Sequence, residues 1–212
     1  MASDSIIERL RNLNSEALPG KNAQYKMAAY FKQIPTEEWI LRQNPKIGAV
    51  MILLLQTADS IRLILMKRPD YDGIHSGQIS FFGGKKEAID ESLYHTSIRE
   101  AKEEGGFDTS SLEYFGSLSP LYIQASNYYI EPHVFYTSNK LEFAHDEREV
   151  ARIIEVDIHD VFNNKSVEQI QIKDRPAFEA PCYRLGSDVI WGATAMVLSE
   201  LEEFLLDQIH WI

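Results

Sequence analysis

Apolar runs separated by short polar turns predict most of the strands of this chain. Residues 47–56 and 61–67 are two such runs, and the polar stretch 57–60 between them is typical of a turn. Farther along, residues 112–123 and 128–137 predict a strand pair. Shorter apolar segments that we also interpret as strands lie at 78–82, 150–156, 166–172 and 180–185.

Two segments have the composition of longer helices. Residues 91–104 favour a helix, and Gly105 followed by Gly106 predicts where it ends. Residues 191–206 predict an amphipathic helix near the end of the chain. A mixed sheet with one central and one terminal helix is typical of an α/β or α+β fold.

The beginning of the chain differs from the rest. Two short amphipathic stretches, at 5–13 and 22–32, predict helices before the first strand. No linker-like stretch divides the remainder, so we predict a helical N-terminal extension over residues 1–40 and one domain over 41–212. Whether this extension covers a site or builds a homodimer interface stays open.

Composition places the chain among ordinary globular proteins. It has 212 residues, 44% apolar and 25% charged, which is enough for one domain with a substantial core. The longest apolar run, at 49–55, is too short to span a bilayer, and charged residues interrupt the first ten positions. The single cysteine, Cys182, excludes an internal disulfide and a multi-cysteine metal site. We therefore expect a cytoplasmic protein that does not contact membranes.

The net charge restricts the class of ligand. A formal charge of −11 argues against a partner such as duplex nucleic acid, whose binders normally carry a basic face. Phosphorylated small molecules remain compatible with an acidic protein when divalent metal ions lie between the two sets of negative charge.

Three glutamates of the predicted 91–104 helix fit that idea. Glu100, Glu103 and Glu104 are i, i+3 and i+4 neighbours, so they lie within one arc of the helix. This arc adjoins an apolar stripe formed by Leu93, Ser97, Ile98 and Ala101. Clustered carboxylates at the edge of a core repel one another unless a cation joins them, and hard oxygen ligands suit Mg²⁺ or Mn²⁺.

The competing interpretation is a solvated helix face. Arg99 is spaced to pair with Glu103, and Lys102 could neutralise another of the acids. The placement against the core and the upstream pair Gly83 and Gly84 favour the metal interpretation. The adjacent glutamates Glu202 and Glu203, in contrast, are predicted to form a surface pair.

The segment 84–107 resembles the Nudix box. The residues that carry the resemblance are Gly84, Glu91, Arg99, Glu100, Ala101, Glu103, Glu104, Gly106 and Phe107. The spacing from Gly84 to Glu91 is one residue longer than the commonest form, as in the coenzyme A pyrophosphatase branch. Residues 65–68, 75–84 and 191–195 are also similar to that branch, so the resemblance covers about residues 47–207.

The resemblance implies a fold and a metal site. The expected architecture is an α/β/α sandwich with a mixed sheet. Glu100 and Glu104 are implied to bind Mg²⁺ or Mn²⁺, with Glu103 as a further ligand or catalytic group. Arg99 is implied to be structural and to pair with a carboxylate such as Glu91. The implied reaction is hydrolysis of a nucleoside diphosphate linked to another group.

Further site residues are expected outside the helix. A catalytic base or additional metal ligand is expected in the segment 146–149, where Glu149 is preferred to Glu147 because it adjoins a strand. The resemblance implies that Arg68, Gly77, Gly83 and Gly84 bind substrate. Lys67, beside Arg68, either meets substrate phosphate or is solvated.

Three positions depart from the branch and bear on the substrate. Phe82 stands where a proline is usual, Gly105 replaces a large apolar residue and is expected to loosen the helix end, and Gly73 replaces a second arginine. The leading hypothesis is cleavage of coenzyme A or an acyl-coenzyme A to 3′,5′-ADP and 4′-phosphopantetheine. The missing arginine motivates an alternative, hydrolysis of ADP-ribose or another nucleoside diphosphate derivative. A second alternative is a nucleotide-binding module without hydrolysis.

Overall fold

The computed structural model describes residues 2–14, 17–29, 33–72, 76–172 and 176–206. The helices are α1 (Ala2–Arg11), α2 (Gly20–Gln24), α3 (Glu37–Arg42), α4 (Leu93–Gly105), α5 (Ile158–Asn163) and α6 (Gly192–Leu206). The strands are β1 (Lys46–Gln56), β2 (Ile61–Lys67), β3 (Ile79–Ser80), β4 (Phe82–Lys85), β5 (Glu113–Ser117), β6 (Leu121–Ile123), β7 (Tyr128–Thr137), β8 (Arg152–Asp157), β9 (Lys165–Ile170), β10 (Phe178–Leu185) and β11 (Asp188–Trp191).

Strand β1 is the centre of the larger sheet. It runs parallel to β7 and antiparallel to β2 and β4, while β3 and β8 pair with β2 and both β5 and β6 pair with β7. Because it has neighbours on both edges and cores on both faces, β1 is almost continuously apolar. The predicted mixed α/β (α+β) architecture is confirmed.

The two faces of the sheet bury separate cores. Met51 and Leu53 of β1 point toward α4, where they pack with Ala101. The intervening residues, Ile52 and Leu54, point to the opposite face, where α1, α5 and α6 pack. Period-two alternation along one strand thus supplies both layers, giving the expected sandwich.

A small three-stranded sheet lies beside the larger one. Strand β10 pairs with β9 and with β11, all antiparallel. The carboxylate of Asp188 on β11 binds Lys67 of β2 at 3.0 Å and also pairs with Arg152 of β8. These ion pairs connect the small sheet to the larger one.

The helix that carries the three glutamates has well-defined ends. Ser92 caps its first turn by accepting a hydrogen bond from the His95 amide. Gly106 takes a left-handed conformation (φ 63°) at the other end, and its amide donates to the Lys102 carbonyl. The predicted helix end at the two glycines is confirmed, although the helix begins at Leu93 and not at residue 91.

The two departures at positions 82 and 105 lie against the same aromatic residue, Phe107. Phe82 is buried and packs on Phe107 with ring centroids 5.6 Å apart. A Cβ on Gly105 would lie 2.6 Å from the Phe107 ring and 3.2 Å from that of Phe82. Gly105 is buried under the two rings, so a side chain there would clash with Phe107 and be tight against Phe82.

Several local predictions need correction. The predicted single strand over 112–123 is two strands, β5 and β6, both paired with β7. Trp191 ends β11 instead of beginning α6. Of the predicted helix over 22–32, the described residues form the short α2 followed by a 3₁₀ turn at Tyr25–Met27, and residues 30–32 lie outside the described ranges. Helices α3 and α5 are each six residues long, too short for apolar periodicity to indicate them.

The expectation for the second glutamate pair was also wrong. Glu202 is buried, and its carboxylate accepts a hydrogen bond from the Tyr183 hydroxyl at 2.9 Å and pairs with Lys165 at 2.7 Å. Its neighbour Glu203 pairs with Lys26 of the N-terminal segment. Within the described ranges, the structure contains no helix long and apolar enough to cross a membrane.

Candidate active site

Arg99 is the organising cation of the site. Its guanidinium donates two hydrogen bonds to Asp90, at 3.0 and 2.9 Å, and one each to Glu100 and Glu103 at 2.9 Å. It also donates to the Lys85 carbonyl. Hydrogen bonding to Arg99 holds the pKa of Asp90 well below its usual range, and the same bond raises the pKa of Arg99.

The predicted partner of Arg99 therefore needs correction. The bidentate carboxylate is Asp90, which is buried, while Glu91 is exposed. Asp90 additionally accepts hydrogen bonds from the Glu87 amide and the Thr96 hydroxyl. Sequence reasoning missed Asp90.

Glu104 occupies the deepest position of the three helix glutamates. It is 7% exposed, and its Oε2 accepts a hydrogen bond from the Gly83 amide at 2.8 Å. Its pKa is raised to about 8, mainly by burial and also by Glu100 and Glu149, while the hydrogen bond from Gly83 and the charge of Arg68 oppose the rise. Glu104 is thus a buried acid whose ionised form is only partly compensated by the protein.

Glu100 lies against the backbone of the β4 glycine pair. A Cβ on Gly84 would be 2.5 Å from the Glu100 carboxylate, so only glycine permits this close approach. Burial raises the pKa of Glu100, and Arg99 opposes that effect. The register between β1 and β4, with Gly84 opposite Ala49, sets this arrangement.

The other predicted acids lie farther outward. The Glu103 side chain is 56% exposed and bound to Arg99. Glu149 is exposed, on a turn closed by the hydrogen bond from its amide to the Asp146 carbonyl, and it is near enough to Glu104 to influence its pKa. Of the two candidate acids in this turn, Glu149 is the one whose charge raises the pKa of Glu104, and Glu147 is exposed.

Arg68 lies directly after β2, and its side chain approaches Glu104. Its amide donates to the Gln78 carbonyl, and a guanidinium nitrogen is 3.9 Å from Glu104 Oε1. In the described part of the chain its Nε is buried and has no hydrogen-bond partner. Lys67, for which substrate contact and solvation were both considered, instead binds Asp188.

Gly77 does not line the same cavity as the two β4 glycines. It forms a turn beside Asp70 and borders a cavity of about 670 Å³ together with Gln78 and Trp191. Gly83 and Gly84 border a different cavity, described below. Gly73 and His75, which belong to the upstream segment of the resemblance, lie outside the described residues.

A cavity of about 750 Å³ adjoins the carboxylate cluster. Arg68, Gly83 and Gly84 line the end nearest the glutamates. Further walls come from β6, β7 and the start of α6, and from N-terminal residues within 25–29 and 33–39. A volume of this size fits a ligand as large as a nucleotide derivative.

The chemistry of the acids fits a divalent cation. Glu104 and Glu100 are buried or half-buried carboxylates with raised pKa values, and a hard cation would compensate their charge. As the side chains stand, no three His, Cys, Asp or Glu residues of the described ranges are arranged to hold a metal ion. Arg99 binds Glu100 through Oε1 and Glu103 through Oε2 in this arrangement.

Comparisons with known proteins agree with the geometry. The sequence pattern of the NUDIX domain matches residues 45–179. The proteins named NudL of Yersinia pestis (strain Pestoides F) and Yersinia pseudotuberculosis (serotype O:1b) are described as uncharacterized Nudix hydrolases. Each is 31% identical over 143 residues, which cover 66% of this chain and 71% of theirs.

A solved structure shares the fold. The Nudix hydrolase RenU of M. smegmatis superposes with a TM-score of 0.55 and 13% identity. The superposition covers 79% of this chain and 90% of RenU. At that identity the likeness concerns the fold alone.

Proposed function

We propose, from the premise that this chain belongs to the Nudix hydrolase family, that it cleaves the diphosphate of coenzyme A or an acyl-coenzyme A. Members of the family are hydrolases that act on pyrophosphate bonds and use divalent metal ions. The products would be 3′,5′-ADP and 4′-phosphopantetheine. Mg²⁺ or Mn²⁺ is the proposed cofactor.

One juxtaposition supports the proposal above all others. Arg68 lies 3.9 Å from the buried Glu104 and lines the 750 Å³ cavity, so a diphosphate held there would meet both a cation and the acid cluster. The branch-like segments 65–68 and 78–84 meet through the β2–β3 pairing, in which Met66 is opposite Ser80. They therefore border both the acids and the cavity.

The proposed roles follow from the positions of the side chains. A bound divalent ion would neutralise the diphosphate and activate a water molecule. Glu104 and Glu100 would hold the ion, with Glu103 as a further ligand, and Gly83 and Gly84 would keep the approach open. Glu149, which is exposed and whose charge raises the pKa of Glu104, would accept the proton of the attacking water. Arg68 would bind a phosphate oxygen, and Asp90 would hold Arg99 in place.

A product assay tests this function. Purified protein with Mg²⁺ is incubated with coenzyme A, acetyl-coenzyme A, ADP-ribose, NADH and diadenosine polyphosphates, and the products are identified by mass. Release of 4′-phosphopantetheine as the fastest reaction is the expected result. A Glu104→Gln protein purified in parallel identifies any contaminating activity. If the parent protein binds nucleotides and hydrolyses none of them, it is a nucleotide-binding module and the proposal is wrong.

A second candidate function is hydrolysis of ADP-ribose or a related nucleoside diphosphate derivative. Among the described residues that line the cavity, Arg68 is the only charged one, so the additional phosphate of coenzyme A has no second cation there. Faster release of AMP from ADP-ribose, with coenzyme A unchanged, would favour this candidate.

A further inference from the structure

The cavity has walls from two different parts of the chain. The end nearest the acids belongs to residues inside the matched family segment, namely Arg68, Gly83 and Gly84. Much of the opposite wall comes from outside that segment, from N-terminal residues within 25–29 and 33–39 and from the start of α6. Residues inside the matched family segment and N-terminal residues outside it thus line the same cavity.

Trp39 of α3 is an aromatic residue of this N-terminal wall. Its amide donates to the Thr36 hydroxyl oxygen at the start of α3, and its carbonyl accepts from the Gln43 side chain. Its ring meets Tyr122 of β6 edge to face, with centroids 5.9 Å apart. Since 41% of Trp39 is exposed, much of the residue is free to contact a bound group.

The partner of Trp39 is itself held in place. The Tyr122 hydroxyl donates to the Asn127 side chain at 2.9 Å. Asn127 in turn donates to the Gln43 carbonyl at the end of α3, and its carbonyl accepts from the Lys46 amide at the start of β1. This chain of hydrogen bonds connects α3, β6 and β1, so the Trp39 side of the cavity is formed in advance of binding.

The other end of the N-terminal wall is anchored on α6. Glu200 of α6 is buried and accepts hydrogen bonds from the Gly20 amide, the Gln24 side chain and the Ser119 amide. The Ser199 hydroxyl donates to the Ala23 carbonyl at 2.9 Å. These contacts fix α2 and the following turn, from which Tyr25 and Ala28 reach the cavity.

The chemistry of the N-terminal half of the cavity is uncharged. Its described lining residues include Trp39, Tyr122, Tyr128, Ile34 and Met196. Arg68 lies at the opposite end, with the acids. Such a lining stabilises apolar and aromatic surface, and it offers a charged phosphate no compensation for lost water.

We propose that this half of the cavity binds the uncharged arm attached to the diphosphate, and that Trp39 is a specificity-determining residue. The inference rests on the proposed function and deepens it. For an acyl-coenzyme A, the acyl-pantetheine arm lies against Trp39, and the nucleoside with its additional phosphate lies outside the apolar half. The N-terminal segment thereby sets which diphosphates are good substrates.

Kinetics with two substrates test the inference. We compare butyryl-coenzyme A with ADP-ribose in the parent protein, in Trp39→Ala and in the matched control Leu41→Ala. Leu41 lies on the same helix, is 61% exposed and does not line the cavity.

In Trp39→Ala, we expect KM for butyryl-coenzyme A to rise about tenfold with kcat nearly unchanged, since an aromatic contact and its buried area are lost. The KM for ADP-ribose in Trp39→Ala should change less than about twofold. In Leu41→Ala, the KM for both substrates should also change less than about twofold. An equal effect on both substrates, or none, would overturn the inference.

A binding measurement separates this inference from the proposed function. Butyryl-pantetheine carries the arm without the diphosphate, and its affinity for the full-length chain is measured by calorimetry. Weaker binding to Trp39→Ala than to the parent and to Leu41→Ala supports the inference even where the parent hydrolyses no diphosphate, in which case the proposed function alone fails. Equal binding to all three proteins, or no binding to the parent, rejects the inference while leaving any observed hydrolysis unaffected.

Discussion

Helices α4 and α6 both place glutamates on a buried side, but the protein treats the two sets differently. In α6, Glu202 is met by the Tyr183 hydroxyl and by Lys165, and Glu200 is met by three donors. In α4, the protein gives Glu104 one amide at 2.8 Å and a guanidinium at 3.9 Å. Two further carboxylates, Glu100 and Glu149, repel it.

This difference separates a structural acid from an acid available for chemistry. A buried carboxylate with a full set of donors is part of the scaffold, because its charge is already compensated. A buried carboxylate beside other acids is stabilised only by protonation or by an added cation. The pKa of Glu104, raised by burial to about 8, expresses the second situation.

The largest expected effect is on turnover. Replacing Glu104 with Gln should lower the rate of diphosphate hydrolysis more than about 100-fold, since a direct metal ligand should matter more than an outer-shell one. Glu202→Gln is the matched control in α6 and should keep a rate close to that of the parent. The measurement is single-substrate kinetics with the fastest diphosphate of the panel. Equal losses of hydrolysis rate in both variants would contradict the distinction between the glutamates of α4 and those of α6.

A second effect is expected on thermal stability when metal is added. A divalent cation that binds the folded chain should raise its free energy of unfolding by about 2.7 kcal/mol at 100 times the dissociation constant. The increase should disappear in Glu104→Gln and persist in Glu202→Gln. The melting temperature is followed with increasing Mg²⁺ or Mn²⁺, and an undiminished rise in Glu104→Gln would place the cation elsewhere.

The third effect concerns the free energy of unfolding without metal. Here Glu202→Gln should have the larger effect and Glu104→Gln the smaller one. Glu202→Gln should reduce the free energy of unfolding by about 2 kcal/mol, because it breaks the pair with Lys165 and disturbs the bond to Tyr183. Glu104→Gln should leave it unchanged or higher, since a poorly compensated charge is removed. Urea unfolding of the two variants measures both values. A larger loss in Glu104→Gln would contradict the comparison.

The smallest effect is a pH dependence. Because the pKa of Glu104 is raised in the folded chain to about 8, protonated Glu104 contributes stability at low pH. This contribution is complete below the unfolded pKa and is lost as pH rises through about 8. The metal-free parent should therefore lose stability over this window relative to Glu104→Gln. If the free energies of unfolding of the two proteins change in parallel with pH, Glu104 is ionised without penalty.

The sequence was sufficient for the elements with strong periodicity. The strand over 61–67 coincides with β2, and the end of α4 lies at the predicted glycines. The spacing of Glu100 and Glu104 also predicted that the two acids share one side of the helix. The elements that it missed, α3 and α5, are six residues long, and β11 has four residues. Pairing partners and caps, more than local pattern, specify elements of that length.

The partners of the charged residues could not be predicted in the same way. Arg99 selects Asp90 over the exposed Glu91, because the turn before α4 presents the Asp90 carboxylate to Thr96 and to Arg99. Glu202 was expected at the surface, yet β10 covers it with Tyr183. Both outcomes depend on which side chain a neighbouring element brings within hydrogen-bond distance.

By itself, the sequence determined the order of most strands, the helix with three acids on one side and the likeness to the Nudix box. Only the tertiary structure decided which carboxylates have their negative charge compensated and which residues lie beside them. Glu104 meets Gly83 across 21 positions of sequence, and Glu200 meets Gly20 across 180. Helix and strand periodicity is a local property of the backbone, whereas desolvation and charge compensation depend on neighbours that only folding brings together.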